Sequence, residues 1–207
     1  MDSTLKRLGG WALIIGTIVA TLGYLAAGLL VHGTDDARYA DPAWPVYNGI
    51  AVGGDVLIVL GLPVLLSFRG RSRVLVTIGY VGFFAAMVML NVGEGVIEAF
   101  VKPYLASHGG IPASGPTGFA VFEAVALVAV VVGMICLGIG LLRARTLPWW
   151  VGVLIFGGLL GAVGLQGPIA LLPDYLLFIA LFTVGVIALR RPAPAPVPAS
   201  DPQPVAA

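Results

Sequence analysis

Six long apolar segments dominate this chain of 207 residues. An α-helix rises 1.5 Å per residue, so about 20 apolar residues cross the roughly 30 Å of hydrocarbon in a bilayer. The segments therefore predict an all-α, polytopic integral membrane bundle of six transmembrane helices. Charged residues make up only 10% of the chain, whereas soluble domains carry about 25%. The predicted spans are residues 8–32, 46–68, 74–101, 118–142, 148–166 and 170–189.

The basic residues predict the orientation of these spans. Only Arg38 and Lys102 fall on one side of the predicted membrane, and the same side carries Trp44 at its boundary. Because short cytoplasmic loops are enriched in Lys and Arg, the opposite side is predicted to be cytoplasmic and to hold both termini. The basic residues on that side are Lys6, Arg7, Arg69, Arg71, Arg73, Arg143, Arg145, Arg190 and Arg191.

The two ends of the chain differ in composition from each other. The first apolar run is too long for a cleavable signal peptide and is interpreted as an uncleaved span. Residues 1–191 form the predicted transmembrane domain, and the Pro/Ala-rich residues 192–207 are predicted to be a disordered cytoplasmic tail. A net charge of +1, with neither a long basic run nor paired Cys/His spacing, argues against a nucleic-acid partner.

Four carboxylates interrupt the apolar spans: Asp55, Glu94, Glu98 and Glu123. Acidic side chains in hydrocarbon are costly and mark functional sites by default. Helix rise places Asp55 about 12 Å and Glu123 about 9 Å inside the extracytoplasmic boundary. Asn91, Glu94 and Glu98 share one helical face. The sequence therefore predicts an outward-facing acidic pocket, lined mainly by the second, third and fourth helices. Its predicted ligand-binding residues are Asp55, Asn91, Glu94, Glu98 and Glu123.

Several of these residues could instead have a purely structural role. Glu98 precedes Lys102 by four residues, which suits an interfacial ion pair, although Pro103 disfavours helical geometry at Lys102. Asp174 follows Pro173 and suits a helix N-cap. Asp55, Glu94 and Glu123 could also be protonated and hydrogen-bonded between helices as structural contacts.

No Lys or Arg lies near Asp55, Glu94 or Glu123 within the predicted spans. Asp55, Glu94 and Glu123 should therefore be protonated or matched by a bound metal ion, an ammonium ligand or a transported proton. Oxygen ligands would suit Ca²⁺ or Mg²⁺ better than Zn²⁺, since the chain has only two His and one Cys. The sequence specifies no cofactor and no oligomeric state.

Three motifs carry a resemblance to a known family: residues 79–83 (GYVGF), residues 93–98 (GEGVIE) and the inner turn at residues 143–150 (RARTLPWW). With them, residues 8–189 resemble a family of bacterial six-helix integral membrane proteins grouped as a domain of unknown function. The resemblance implies the architecture and a place in the bacterial plasma membrane. A fainter likeness is to small integral-membrane terpene cyclases, which also place acids inside a helical bundle, although their Trp-Glu pair is absent here.

Three functions are consistent with this pattern. The first is a plasma-membrane protein whose acidic pocket binds a small cation or amphiphile, as a sensor, an accessory subunit or a small carrier. The second is an isoprenoid- or lipid-modifying enzyme, in which Glu94 would be the general acid and Asp55 would stabilise developing positive charge. The third is a structural scaffold whose acids lock the helix packing.

Overall fold

The predicted spans appear as helices in the computed structural model, which describes residues 3–33, 35–112, 116–162 and 172–190. The α-helices are α1 Ser3–Leu30, α2 Asp35–Ala40, α3 Ala43–Gly61, α4 Arg73–Ala86, α5 Lys102–Ser107, α6 Thr117–Ala144, α7 Trp149–Ala162 and α8 Leu172–Arg190. Within the described residues, five helical stretches are long and apolar enough to cross a membrane, which indicates an integral membrane protein. They are Ser3–Leu30, Ala43–Phe68, Arg73–Ser107, Gly118–Ala144 and Leu172–Arg190.

The predicted fifth span corresponds to α7, a shorter apolar helix that is described only as far as Ala162. The rest of that span, residues 163–166, and the predicted tail at residues 192–207 lie outside the described residues. Residues 35–40, which lie between the first two predicted spans, form the short helix α2.

Two of the long spans depart from α-helical geometry. After α3 the chain continues as a 3₁₀ helix over Leu62–Phe68, where Pro63 lacks the N–H group that an α-helix needs. After α4 it continues through two π-helical segments, Met87–Glu94 and Ile97–Val101, before α5 begins. π-Helical turns are rare and occur frequently at functional sites.

In the part of the chain that the structure describes, six helices pack side by side as a ring. Around the ring, α1 contacts α3, α3 contacts the π-helical segments, α4 contacts α6, and α6 is followed by α7 and α8, which returns to α1. Small residues permit the close approach of neighbouring helices: a Cβ atom on Gly16 would lie 2.7 Å from the backbone nitrogen of Ile58, and one on Gly82 would lie 2.9 Å from the Cα of Gly133. This packing of Gly against backbone is typical of transmembrane bundles.

The two ends of the ring differ in charge and in packing. At the end defined by Arg69–Arg73 and Arg143–Arg145, here called the arginine end, buried apolar side chains fill the centre, including Leu65, Phe68 and Leu141. The opposite end is here called the Trp44 end, and it carries α2, the start of α3, α5 and the starts of α6 and α8. The centre of the ring is not filled at this end, because α6 packs closely on α4 but only slightly on Met87–Glu94.

Candidate functional site

A cavity of about 760 Å³ occupies the centre of the ring and extends from the Trp44 end to mid-bundle. All six helices of the ring contribute to its wall, so the prediction that the second, third and fourth spans would supply most of it was too narrow. Its polar lining residues are Tyr24, Asn48, Asn91, Glu94, Glu98, Glu123, Asp174 and Tyr175. Cavities of this size commonly hold small organic molecules.

The predicted site residues are brought close together, with one exception. Asn91, Glu94, Glu98 and Glu123 all line the cavity. Asp55 does not: its side chain is 0% exposed and lies between α3 and α1, where the hydroxyl of Tyr24 donates a 2.6 Å hydrogen bond to its Oδ2. Tyr24 itself lines the cavity, so Asp55 is one side chain removed from any ligand there.

The second oxygen of Asp55, Oδ1, is buried and has no hydrogen-bond partner among the described residues. Asn91 lies near the carboxyl group but does not reach Oδ1 in hydrogen-bonding geometry. Asp174 is close enough to act electrostatically on both Asp55 and Tyr24. Because a buried carboxylate without a cation is costly, the Tyr24 hydroxyl is the main stabilising contact of this group.

Glu98 is neutralised by a network at the mouth of the cavity. Its Oε1 forms an ion pair with Lys102, as the spacing predicted, and its Oε2 accepts a 2.8 Å hydrogen bond from the Tyr39 hydroxyl. Lys102 also lies 3.3 Å from the Tyr39 oxygen. The pKa of the Tyr39 phenol is raised, mainly because the group is partly buried and secondly because it donates a hydrogen bond to Glu98. Glu98 therefore has less charge to offer a ligand than the other acids of the cavity.

Trp44 was predicted to lie at the outer membrane boundary, and the structure shows it buried within the bundle at its end of the ring. Its side chain is only 7% exposed, because it packs inside the bundle against Tyr39 with the two ring planes nearly perpendicular. The guanidinium group of Arg38 lies 4.7 Å from the centroid of the indole ring. Trp44 is thus part of the wall of the cavity.

The indole of Trp44 compensates for a defect that Pro103 creates in the helix. Lys102 keeps helical dihedral angles, contrary to the expectation for a residue before proline, and its N–H donates to the carbonyl of Ile97. In this π-helical register the carbonyl of Glu98 would accept from residue 103, but proline has no N–H. The indole N–H of Trp44 donates a 3.0 Å hydrogen bond to the Glu98 carbonyl instead.

Glu94, Glu123 and Asp174 are the cavity-lining acids without an ion pair among the described residues. Glu123 and Glu98 both act electrostatically on Glu94. Asp174 lies inside the first turn of α8 and not at its N-cap as predicted, a position that the helix dipole favours for an acid. In the described part of the chain, no three His, Cys, Asp or Glu side chains come together closely enough to hold a metal ion. The acids are instead distributed around the wall.

The deep part of the cavity is apolar. Phe83, Met87 and Met134 line its floor, with Val130 and Phe178 beside them. Phe178 also stacks on Tyr24 with ring centroids 6.4 Å apart. The cavity therefore presents acids near one end and an apolar, partly aromatic surface at the other.

The lining residues that were not predicted as members of the site include Tyr24, Trp44, Asn48, Asp174 and Tyr175. Tyr24 and Tyr175 carry no charge that would distinguish them from other residues of an apolar span. Asp174 was predicted to be a helix cap and Trp44 an interfacial residue. Neither role indicated that the two residues line the same cavity. Comparison of the chain with protein-family models, with curated proteins and with solved structures finds no match.

Proposed function

We propose that this chain is a multi-pass protein of the bacterial plasma membrane that binds an amphiphilic organic cation in its central cavity. Six spans, with the arginine end in the cytoplasm, would open the cavity toward the extracytoplasmic side. The observation that carries the proposal is that Glu94, Glu123 and Asp174 lie on the wall of one cavity whose floor is apolar.

The shape of the cavity supports an organic ligand over a bare ion. A volume of about 760 Å³ is many times that of a dehydrated ion. Three acids that form no ion pair with another described residue provide negative potential. The rings of Tyr24, Trp44 and Tyr175 provide faces on which an ammonium group can rest. The apolar floor would take the hydrocarbon part of the same molecule.

Titration with a cationic amphiphile tests this proposal. The full chain in lipid nanodiscs is titrated calorimetrically with decyltrimethylammonium, and empty nanodiscs supply the background for partitioning into lipid. We expect saturable binding that weakens at least about tenfold, or about 1.4 kcal/mol, in the Glu94→Gln/Glu123→Gln variant. Decyl sulfate, with the same tail and the opposite charge, should not saturate the cavity.

A matched control separates the cavity from general surface charge. Asp41 also lies at the Trp44 end but does not line the cavity, and its carboxylate accepts a hydrogen bond from the N–H of Ala43. Asp41→Asn removes one negative charge and retains an acceptor, so it should leave binding unchanged. Equal loss in this variant and in Glu94→Gln, or binding that none of the carboxylates affects, would rule out the cavity as the site.

An isoprenoid- or lipid-modifying enzyme is the second candidate, and the aromatic lining of the cavity favours it because such rings stabilise carbocations. Glu94 would be the general acid. Since Asp55 lies behind Tyr24, Glu123 is better placed to stabilise the developing charge. Incubation of membranes with plain and epoxidised prenyl substrates distinguishes the two: a product that depends on Glu94 favours the enzyme.

A purely structural role makes a third, distinct prediction. If the acids only lock helix packing, Glu94→Gln and Glu123→Gln should lower the thermal midpoint in detergent. Unchanged stability with lost binding would exclude the scaffold.

A further inference from the structure

A second cleft, of about 670 Å³, lies at the arginine end of the bundle, far from the cavity described above. It is formed between the turn that follows the 3₁₀ helix and the carboxyl end of α6. Its lining residues are Gly70, Arg71, Leu142, Arg143, Ala144 and Arg145. Three of these six carry a guanidinium group.

The backbone around this cleft is held in a defined shape. The hydroxyl of Thr146 donates a 2.6 Å hydrogen bond to the carbonyl of Phe68 and so joins the two loops. Gly70 has a positive φ of 48°, and a Cβ atom there would lie 3.0 Å from the carbonyl oxygen of Ala144. Arg145 also has a left-handed backbone, with a φ of 51°, which ends α6 at this point. The three arginines are therefore presented by loops that pack on each other.

The positive charge of the cleft is uncompensated by any acid of the described chain. Every Asp and Glu that the structure describes lies in α2, after it at Asp41, or in the half of the bundle toward the Trp44 end. Guanidinium groups bind phosphate oxygens in a bidentate manner and are weakly hydrated, which suits them to a phosphate at an interface. The expected ligand is therefore an anion with several oxygen atoms.

The depth of the cleft selects the source of that anion. Trp149, at the start of α7, is 71% exposed, and Trp11 of α1 is 52% exposed. Tryptophan side chains in such positions lie at the level of lipid headgroups. Leu142 adds an apolar wall beside the arginines. We propose that this cleft is a binding site for the phosphate headgroup of an anionic phospholipid.

Native mass spectrometry of lipid adducts tests this site. The full chain is purified in a mild detergent and incubated with phosphatidylglycerol or with zwitterionic phosphatidylcholine. We expect a retained phosphatidylglycerol adduct that falls at least about fivefold in the Arg71→Gln/Arg143→Gln variant. Arg73→Gln/Arg190→Gln is the matched control, because both residues are exposed arginines outside the cleft and the same charge is removed.

Three outcomes would contradict the proposal. Equal loss of the adduct in the control variant would mean that net charge alone retains the lipid. Equal retention of phosphatidylcholine would mean that the headgroup charge is irrelevant. Displacement of the lipid by millimolar inorganic phosphate would assign the cleft to a free anion. A thermal midpoint that phosphatidylglycerol raises in the native chain and the control, but not in Arg71→Gln/Arg143→Gln, gives an independent readout of the same site.

Discussion

The hydroxyl of Tyr24 in α1 donates a 2.6 Å hydrogen bond to Oδ2 of Asp55 in α3, a buried carboxyl group whose Oδ1 has no hydrogen-bond partner among the described residues. The bond crosses the seam between the two helices at the point where Tyr24 forms the cavity wall. It therefore links the packing of the bundle to the shape of the candidate site.

The first prediction concerns that bond. Tyr24→Phe removes the donor and leaves the Asp55 carboxyl without it, so the free energy of unfolding should fall by about 1 kcal/mol, as for hydrogen bonds between membrane helices. Asp55→Asn keeps an acceptor and should lose less than Asp55→Ala. The measurement is reversible unfolding in mixed micelles. Tyr47→Phe, at a partly exposed tyrosine, is the control and should show no change.

The second prediction concerns Trp44 and Pro103. Trp44→Phe removes the N–H that the Glu98 carbonyl accepts, so we expect a loss of about 1 to 2 kcal/mol of stability. Pro103→Ala supplies a backbone N–H at the position where the helix lacks one, and it should recover part of that loss. A double-mutant cycle measures the coupling. Losses that simply add would show that Trp44 stabilises the bundle by its bulk alone.

The third prediction uses two adjacent glycines. A Cβ atom on Gly54 would lie 2.7 Å from the Cα of Ala20 in α1, whereas one on Gly53 would have nothing within 4 Å. Gly54→Ala should therefore force α1 and α3 apart and lower the thermal midpoint markedly. Gly53→Ala should be neutral or slightly stabilising, since alanine favours the helix. A similar response of both variants would contradict the packing described for this seam.

Five of the six predicted spans correspond to helical stretches that are long and apolar enough to cross a membrane, because the thickness of the hydrocarbon sets the length that a span needs. The sequence predicted the common depth of Glu94 and Glu123 for the same reason, since depth follows from counting residues along a helix. The ion pair of Glu98 with Lys102 was also predicted, and the structure confirms it.

Counting residues could not predict the rotation of each helix about its own axis, nor where a span departs from α-helical geometry. Whether Asp55 points into the cavity or toward Tyr24 depends on how α3 packs against α1, and apolar composition leaves that angle open. The π-helical segments Met87–Glu94 and Ile97–Val101 follow an ordinary apolar run, and only Pro103 hints at a change of register. The burial of Trp44 was not predicted because its indole partner, a main-chain carbonyl, has no signature in the sequence.

The fourth prediction rests on the charge of Lys102. This residue pairs with Glu98 and also acts electrostatically on Glu94, so it weakens the negative potential of the cavity. Lys102→Gln should therefore tighten the binding of decyltrimethylammonium by about fivefold, equivalent to about 1 kcal/mol. The Glu98→Gln/Lys102→Gln variant removes both charges and should return the affinity near its original value.

The control for this change is Lys6→Gln, which removes the same charge at the arginine end and should have no effect on the cavity. Calorimetric titration in nanodiscs measures all three variants. Weaker binding in Lys102→Gln would mean that Lys102 supports the site through its contact with Tyr39.

The fifth prediction concerns which side of the membrane the cavity faces. Nine basic residues predict that the arginine end is cytoplasmic, so the Trp44 end should be reached from outside the cell. In a Cys136→Ala background, which removes the single native thiol, cysteine is introduced at Ser107 in α5 or at Ser3 at the start of α1, both of them exposed. A membrane-impermeant maleimide applied to intact cells should label Ser107→Cys and not Ser3→Cys.

Disruption of the cells should make Ser3→Cys reactive, which shows that the thiol itself is accessible and that the membrane had protected it. The opposite labelling pattern would invert the topology and turn the acidic cavity toward the cytoplasm. It would also place Arg71 and Arg143 on the outer leaflet, where the anionic lipids expected for their cleft would have to be sought. Because the two sites lie at opposite ends of one bundle, this single measurement fixes the side of both.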